Sequence, residues 1–507
     1  MANTKSRLPK DISEKCVKHR NGTCTACQKL ANLDRKIDDA RQALERLQAE
    51  RESFASVLNQ THDPFAQRLP RELVSRVFLH CQPILPPFSD IPSDKEKSFL
   101  KAVLGLGHIC QNWRKITEST PDIWATSRFT ITNSNCIQSV AMIRQWLQRS
   151  GALRLHFELK EAGGLIEVGK RAALKIVSSI IAHSSRMQEI RLSSSYILFP
   201  PLLAAFRANR FQYLDRLILQ CDESGFTPEL EIETAPRWIV LCRQVYVEVD
   251  ATDWAQVTHV EVGYLLISDI IHLIQHAPIL SFFKVETVQY NISPSSTTLV
   301  VSPFLQSLSV GQVNSSFWNH FTFPCLDTLH ITFHQHNDPG WTPLQNLLRR
   351  SGCAIKELYL AQNHWFAQEG LVDVMRLTPS LQNLGLTFET DVDEGSLFTA
   401  LDTAAAQSED INQPTPEILR NLKTLTCTSK TDVFPWSDFI GFLATMTSRP
   451  EKSLQLVDLK PRHRGSDDLE DKVMYKNLMD AAGGVELRVI AADSQFDMLD
   501  FYRRRSS

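Results

Sequence analysis

The sequence predicts a mixed α/β protein: a long N-terminal helix, a small all-α unit, and a solenoid of strand-and-helix repeats with a parallel strand face. Three observations predict this fold class. Apolar residues follow heptad spacing over residues 30–60. Short apolar stripes at helical spacing follow over residues 63–124. From residue 129 onward, one apolar phrase recurs at the intervals that stacked repeats show.

Composition is that of a globular protein with more than one domain. The chain has 507 residues, of which 43% are hydrophobic and 22% are charged. A formal net charge of −3 gives no electrostatic reason to expect a nucleic-acid partner. The first residues are polar, and no apolar run reaches the roughly 18 residues that would span a bilayer. We therefore expect a cytoplasmic or nuclear protein without a membrane partner, whose cysteines are mostly reduced.

Residues 1–29 are polar and are expected to form a disordered tail. The tail contains Cys16, His19, Cys24 and Cys27, which are residue types that bind zinc in tetrahedral sites. However, the loop between the two pairs, residues 20–23, is short. The alternative to a zinc site is a flexible tail with reduced cysteines. We therefore predict neither a metal nor a cofactor.

Residues 30–60 are predicted to form a coiled-coil helix, since neither Gly nor Pro interrupts them. Apolar residues alternate at spacings of three and four, which defines an a/d seam. The seam consists of Leu30, Leu33, Ile37, Ala40, Leu44, Leu47, Arg51, Phe54 and Leu58. Arg51 weakens this seam. Two hypotheses follow: a homodimer through residues 30–58, or a single helix that folds its stripe back on its own chain.

Residues 63–124 contain two apolar stripes at helical spacing. Pro70 suits a first helical turn, where its missing N–H costs nothing. One stripe then consists of Leu73, Val74, Val77, Phe78 and Cys81. The second stripe is Ile109, Trp113 and Ile116, on a helix that Pro121 ends. Between them, residues 82–97 hold four prolines and cannot form one continuous helix.

This unit resembles the F-box. The matching residues, in order, are Leu69-Pro70-x-Glu72-Leu73, the pair Val77-Phe78, Cys110-x-x-Trp113-Arg114 and Pro121-x-x-Trp124. The insertion at 82–97 departs from the usual pattern and is similar to insertions in expanded fungal F-box families. The resemblance implies that the unit binds a Skp-type adaptor, and through it a cullin, in a ubiquitin ligase.

The resemblance also implies roles for single residues. Leu69 and Pro70 are expected at the adaptor interface, and Ile123 with Trp124 is expected to lock the F-box to the repeats. Other positions should divide between the interface and the F-box core. The implied adaptor-binding set is Leu69, Pro70, Leu73, Val77, Phe78, Cys110, Trp113 and Trp124.

Residues 129–495 are predicted to form a degenerate leucine-rich-repeat-like solenoid, followed by a basic tail at 496–507. The recurring phrase has three apolar positions spaced as L-x-x-L-x-L, and its period is mostly near the ~20–29 residues of leucine-rich repeats. Its instances start at Met187, Leu214, Val257, Leu280, Leu305, Leu326, Ile355, Leu381, Leu422 and Leu454. The alternative is a doubly wound α/β domain.

Helical stripes lie between the phrases, for example over residues 267–274 and 371–377. Each strand-and-helix unit has a face that it cannot bury alone, so we expect stacking into a solenoid. Residues 388–416 match the repeat least. They are predicted to form a helix and a loop that project from the solenoid.

No catalytic motif supports an enzyme, since phosphate-binding loops, zinc-protease motifs and nucleophile elbows are all missing from the sequence. His330, His334 and His336 alternate along a strand, which fits either a metal site or a solvated face. The combined interpretation is a substrate-recognition subunit of a Skp–cullin–F-box ligase. The alternative is a coiled-coil and repeat scaffold without a ubiquitin-ligase role.

A protein target is expected at the solvent-facing positions of the repeats, because those positions carry both signs of charge. The predicted target-binding residues are Lys356, Glu357 and Tyr359, with Trp365 nearby as a candidate aromatic anchor. The identity of the target is not encoded in these residues.

Overall fold

A computed structural model of the chain divides it into two compact units, Met1–Trp124 and Ala125–Ser507. The residues that the structure describes are 24–61, 68–81, 93–221, 228–233, 235–243, 245–290, 299–333, 341–362, 368–388, 394–406, 418–429, 434–448, 453–460 and 469–489. The predicted disordered tail up to residue 23 and the basic tail at 496–507 lie outside them. No helix within these ranges has the length and apolar character needed to cross a membrane.

The first unit is all-α within its described residues. Its helices are α1 (Thr25–Thr61), α2 (Arg71–His80), α3 (Ser93–Ile109), α4 (Gln111–Glu118) and α5 (Asp122–Ala125). Helix α1 is long, as the uninterrupted heptads predict. Its apolar seam is exposed to solvent along its length, from Leu30 to Leu58.

Three predicted boundaries in this unit differ from the structure. Helix α1 begins at Thr25, so residues 25–29 of the predicted tail 1–29 are helical. Helix α3 begins at Ser93, so the last part of the predicted insertion 82–97 is helical. Ile109 and Trp113 lie on different helices, because Cys110 between them is extended, with φ −155° and ψ 170°. The Cys110 Sγ accepts a hydrogen bond from the Trp113 N–H at 3.4 Å and so caps α4. As a result Ile109 is exposed and does not share the stripe of Ile116.

Helices α2 and α4 share a small core. Val74 and Phe78 lie one turn apart on α2 and are fully buried. The Phe78 ring lies 4.7 Å from the ring of Trp113 on α4, centroid to centroid. At the edge of this contact the Ser75 and Thr120 hydroxyls are 2.9 Å apart. The aromatic pair fixes α2 against α4, and the hydroxyl pair joins α2 to the residues that follow α4.

The second unit is built on a 14-stranded sheet in which every pair of neighbouring strands is parallel. Its strands are β1 (Thr126–Ile131), β2 (Leu155–Glu161), β3 (Met187–Ser194), β4 (Arg216–Cys221), β6 (Trp238–Arg243), β8 (His259–Leu266), β9 (Phe282–Gln289), β11 (Ser307–Gly311), β13 (Thr328–Phe333), β14 (Glu357–Gln362), β15 (Asn383–Phe388), β16 (Thr424–Ser429), β17 (Leu456–Lys460) and β18 (Glu486–Val489). Short strands β5 (Glu229–Leu230) and β7 (Tyr246–Val247) form one small pair, and β10 (Val300–Val301) and β12 (Phe321–Thr322) form another.

The strand order decides between the two predicted architectures. The strands of the large sheet follow one another in chain order from β1 to β18. A doubly wound sheet reverses its strand order at a switch point, and this sheet has none among its described strands. The second unit is therefore a stack of sequential repeats. Its first strand begins at Thr126, earlier than the predicted residue 129.

Helices connect many of the strands. They are α6 (Cys136–Arg149), α7 (Glu167–Ala182), α8 (Phe199–Arg207), α9 (Ile267–His276), α10 (Trp341–Ser351), α11 (Gln368–Arg376), α12 (Glu394–Ala406), α13 (Trp436–Ser448) and α14 (Leu469–Ala482). Helices α9 and α11 confirm the two helical stripes predicted from the sequence.

Helix α12 corrects a prediction. We expected residues 388–416 to project from the repeats, but Leu397, Phe398 and Leu401 on α12 are buried. The Phe398 ring lies 5.1 Å from the Phe439 ring of α13. Because its apolar residues pack against the next helix, α12 belongs to the repeat stack.

The recurring phrase supplies the core. In each of its instances the second and third apolar residues lie in a strand and are at most 4% exposed, as with Leu358 and Leu360 in β14. Strands β1, β2 and β6 also have this buried pair, and β18 has it in part, because Val489 is buried and Leu487 is half-buried. The phrase misses all four strands. Their first position holds Thr126, Arg154, Pro236 or Gly484, none of which is a large apolar residue.

The loops that lead into the strands carry a second ladder of hydrogen bonds. The Lys356 carbonyl oxygen accepts from the Gln382 N–H at 2.7 Å and from the Asn383 N–H at 2.9 Å. Gln306, Asp327, Gln382 and Lys423 accept in the same way from the following repeat. One carbonyl per repeat is thus satisfied by two donors, which ties each loop to the next.

Candidate partner-binding surfaces

Part of the apolar surface of helix α2 is not buried in the first unit. The predicted stripe on α2 divides into two. Val74 and Phe78 point into the core, whereas Leu73 is 45% and Val77 is 40% exposed. Leu73 and Val77 lie one turn apart and therefore neighbour each other on the helix surface. We call the exposed residues Pro70, Leu73 and Val77 the α2 surface.

Other residues of the implied adaptor-binding set lie deeper. Leu69, Cys110 and Trp113 are half-buried. Phe78 and Trp124 are buried, and the Trp124 Nε1–H donates to the Thr117 carbonyl at 2.8 Å. The buried side chains of Phe78 and Trp124 hold the unit together and are not available for direct contact with an adaptor. The implied set therefore reduces to the α2 surface and its half-buried border.

The strand residues that alternate with the core residues form an outer face of the sheet. Several of them, such as Arg128, Glu158 and Ile218, are themselves buried. Parallel registration places equivalent residues side by side in rows. The first row contains His156, Glu189, Arg216, Trp238, His259, Phe282, Ser307, Thr328, Glu357, Asn383 and Thr424. The second row contains Arg128, Glu158, Arg191, Ile218, Val240, Glu261, Lys284, Ser309, His330, Tyr359 and Gly385.

A stacked ladder of side chains runs along the first row. The Arg216 guanidinium lies 5.2 Å from the centroid of the Trp238 ring. The Trp238 and His259 centroids are 3.5 Å apart, and those of His259 and Phe282 are 4.0 Å apart, with nearly parallel planes. Stacking and the cation–π contact stabilise this ladder across four strands. We call these four residues the ring ladder.

Charges on the outer face are arranged in pairs of opposite sign. The Glu189 carboxylate contacts the His156 Nδ1 at 2.9 Å and the Arg191 Nε at 2.5 Å. The Glu261 carboxylate accepts from the His259 ring at 2.9 Å, and the Lys284 Nζ lies 3.4 Å from it. The hydrogen bond from His259 holds the pKa of Glu261 below its usual range. Paired charges create little net field, which suits a protein surface better than a phosphate backbone.

Of the predicted target-binding residues, Glu357 and Tyr359 lie in these two rows and Lys356 directly precedes β14. Lys356 and Glu357 already have partners within the chain. The Lys356 Nζ is 3.3 Å from the Asp327 Oδ2, and the Glu357 Oε1 accepts from the Asn383 Nδ2 at 2.9 Å. Tyr359 is half-buried.

The Tyr359 ring lies 4.2 Å from the His330 ring on one side and covers Gly385 on the other. Burial raises the pKa of the Tyr359 hydroxyl. The ring thus fills the gap that a glycine leaves in the neighbouring strand, and only part of it faces solvent. Trp365 lies outside the described residues.

The predicted metal alternatives find no support within the described ranges, where no group of His, Cys, Asp or Glu could hold a metal ion. His334 and His336 lie outside those ranges. His330 lies within them, and burial lowers the pKa of its imidazole. Cys16 and His19 also lie outside them, so the N-terminal set stays a prediction.

Sequence reasoning missed the two apolar members of the ring ladder, Trp238 and Phe282. Each directly precedes a buried strand residue, Ile239 or Phe283, and so points away from the core. A large aromatic residue at a position that faces away from the core was the available signal. The prediction for the solvent-facing positions rested on their mixed charges, which these two aromatic residues do not carry.

Comparisons with known proteins identify no family. No family model matches the chain, and no curated protein matches it. Among solved structures, the chain is similar to TLR13 in a crystal structure of the TLR13–ssRNA13 complex, with 11% sequence identity and a TM-score of 0.36. The similarity covers 68% of this chain and 46% of that chain, so this chain spans less than half of its length. The repeat architecture therefore rests on the strand order and register described above.

Proposed function

We propose that this chain is the substrate-recognition subunit of a Skp–cullin–F-box ubiquitin ligase. In this proposal the first unit binds a Skp-type adaptor, and the leucine-rich-repeat-like second unit captures a target protein. Ubiquitin chemistry then belongs to the partner subunits, so the chain itself needs no catalytic residues.

One observation carries the proposal, namely the α2 surface. A short helix of a small unit exposes two large aliphatic side chains, Leu73 and Val77, although Val74 and Phe78 already fill the core. Exposed apolar residues grouped on one helix face mark sites where another protein docks. These residues occupy the positions that resemble the adaptor-contacting part of the F-box.

The proposal is tested by co-purification of the full chain with a Skp-type adaptor. Leu73→Asp combined with Val77→Asp places charges on the α2 surface without touching the buried Val74 and Phe78. We expect the amount of bound adaptor to fall at least tenfold, because desolvating two carboxylates against an apolar partner is costly.

The matched control is Ile137→Asp, which makes the same change at a residue of the second unit that is 62% exposed. It should leave adaptor binding unchanged. If the double variant retains full binding while its circular dichroism is native, the F-box assignment is wrong and a scaffold without ligase function becomes the better hypothesis.

Target capture is proposed for the outer face of the second unit. Support comes from its mixed charges and from its aromatic residues, which supply large contact areas at protein interfaces. Proximity labelling with the intact chain would be compared with a variant carrying Lys356→Ala, Glu357→Ala and Tyr359→Ala. We expect the variant to lose a subset of labelled proteins but to keep the adaptor. An unchanged set of labelled proteins would exclude these three residues from target capture.

A further inference from the structure

The apolar seam of helix α1 is exposed to solvent. The helix has 37 residues and is about 55 Å long at a rise of 1.5 Å per residue. Every residue from Lys29 to Ala55 is exposed. The large seam residues Leu30, Leu33, Ile37, Leu44, Leu47 and Phe54 are between 43% and 65% exposed.

The spacing of the seam residues indicates which kind of surface can pack against them. An a/d stripe with a period of 3.5 residues fits the knobs-into-holes packing of a second helix that has the same repeat. Among the described residues the next longest helix, α3, has 17 residues and is shorter than this seam. A second copy of α1 therefore supplies the matching surface, and the flanking charges decide the orientation of the two helices.

A symmetric parallel dimer has only the in-register arrangement, and this arrangement carries unfavourable charge contacts. With Leu30 at an a position, Lys36 falls at g and Arg41 at e, so they face each other across both sides of the dimer. Arg51 would also meet its own copy in the seam. The favourable contact between Lys29 and Asp34 offsets only part of this repulsion.

An antiparallel arrangement removes every like-charge contact. When Leu30 lies opposite Leu47 of the second copy, Leu33 lies opposite Leu44 and Ile37 opposite Ala40, so all shared seam layers are apolar. Arg51 lies opposite Ala26 of the second copy, beyond the shared Leu30–Leu47 layers, and no longer meets its own copy.

In this register the flanking residues are complementary. Lys29 lies beside Glu50 of the second copy, and Asp34 lies beside Arg41 of the second copy. By symmetry each contact occurs twice. Both pair opposite charges at the e and g positions that set orientation in coiled coils.

We propose that this protein forms an antiparallel homodimer through α1, with Leu30 of one copy opposite Leu47 of the other. The dimer is independent of adaptor binding, because α1 and the α2 surface use different residues. The association is measured on the full chain alone, by sedimentation equilibrium against the 57.5 kDa mass of one chain.

Arg41→Glu tests the orientation by the sign of its effect. In the antiparallel dimer it places carboxylates at residues 34 and 41 side by side twice, so the dissociation constant should rise at least fivefold. In a parallel dimer the same change would relieve the contact with Lys36 and tighten the dimer. The added exchange Asp34→Lys should restore antiparallel association to near its original strength.

Two further variants complete the test. Arg35→Glu makes the same charge change at an f position on the outside of the coil and should leave dimerisation unchanged. Leu44→Asp places a charge in the seam and should give monomers.

Spin labels at Ala49, another f position, should be separated by roughly 30 Å along the axis in the antiparallel register, from a 1.5 Å rise per residue. In the parallel register they would lie at the same height along the axis, on opposite outer sides of the coil. A chain that stays monomeric at tens of micromolar, a tighter dimer with Arg41→Glu, or labels at the same height would each overturn the proposal.

Discussion

At the scale of single residues, the outer face depends on carboxylates that are held ionised. Burial alone would raise the pKa of Glu189, but the hydrogen bond to His156 and the charge of Arg191 lower it to about 2. The usual pKa of a glutamate is 4.5, so the folded chain binds this proton more weakly than the unfolded chain does. The ionised group stabilises the fold above pH 4.5, and this contribution is lost as the pH falls toward 2.

Glu189→Gln should therefore lower stability most near neutral pH, by up to about 3 kcal/mol for a shift of this size. The difference from the unaltered chain should shrink steadily between pH 4.5 and the lowest pH at which the chain folds. Urea unfolding at pH 7, 5, 4 and 3 measures this difference. A gap that does not depend on pH would show that Glu189 gains nothing from ionisation in the folded state.

Glycine positions give a second test at this scale. A Cβ on Gly311 would overlap the Glu286 carbonyl oxygen of the neighbouring strand, and backbone cannot move aside as a side chain can. We expect Gly311→Ala to destabilise the chain by about 2 kcal/mol or more. Gly441 on α13 has open space around its Cβ position, so Gly441→Ala should be neutral or stabilise the helix by up to about 1 kcal/mol. Thermal unfolding of both variants would check the contrast.

At the scale of elements, a buried ion pair joins β1 to β2. The Arg128 Nε lies 2.8 Å from the Glu158 Oε2, and both residues are at most 5% exposed. Removing one partner leaves a buried charge, so Arg128→Met alone should cost about 3–5 kcal/mol. Combining it with Glu158→Leu should recover much of that loss, because neither charge is then left buried and unpaired. Denaturant unfolding of the two single variants and the double variant checks this; strictly additive losses would contradict it.

Strands and helices could be predicted where a single apolar pattern in the sequence defined them. The phrase located ten strands because each has three apolar positions, whereas β6 was hidden between Leu214 and Val257 by Pro236 at its first position. Helix α12 was misplaced because Phe398 packs on aromatic residues of a later helix, which spacing cannot show.

On α2, spacing revealed one wide apolar stripe, but which half of it faces the core depends on where α4 lies. The Phe78–Trp113 contact settles that choice. Likewise, the interruption between α3 and α4 at Cys110 depends on the sulfur cap of α4, which an apolar pattern cannot predict.

At the scale of the whole second unit, stability should vary from one end of the stack to the other. Each repeat contacts mainly its neighbours, so stability is close to a sum of local terms. Among the described strands β18 pairs only with β17, and most of its residues are exposed or half-buried. We expect amide hydrogens of Glu486–Val489 to exchange much faster than those of Thr328–Phe333. Hydrogen-exchange mass spectrometry measures this difference, and equal protection would indicate a single cooperative unit.

The chain-order arrangement of the strands also bears on how such a protein is made and how it changes over generations. Each strand of the sheet pairs with the strand before it, so a repeat can dock as soon as it leaves the ribosome, without waiting for the C-terminus. Sequence separations between contacting residues stay near one repeat, which favours rapid folding for a chain of this length. By the same logic, duplicating or deleting one repeat lengthens or shortens the stack without rerouting any connection. A lineage can thus alter its outer face in whole steps while leaving the first unit untouched.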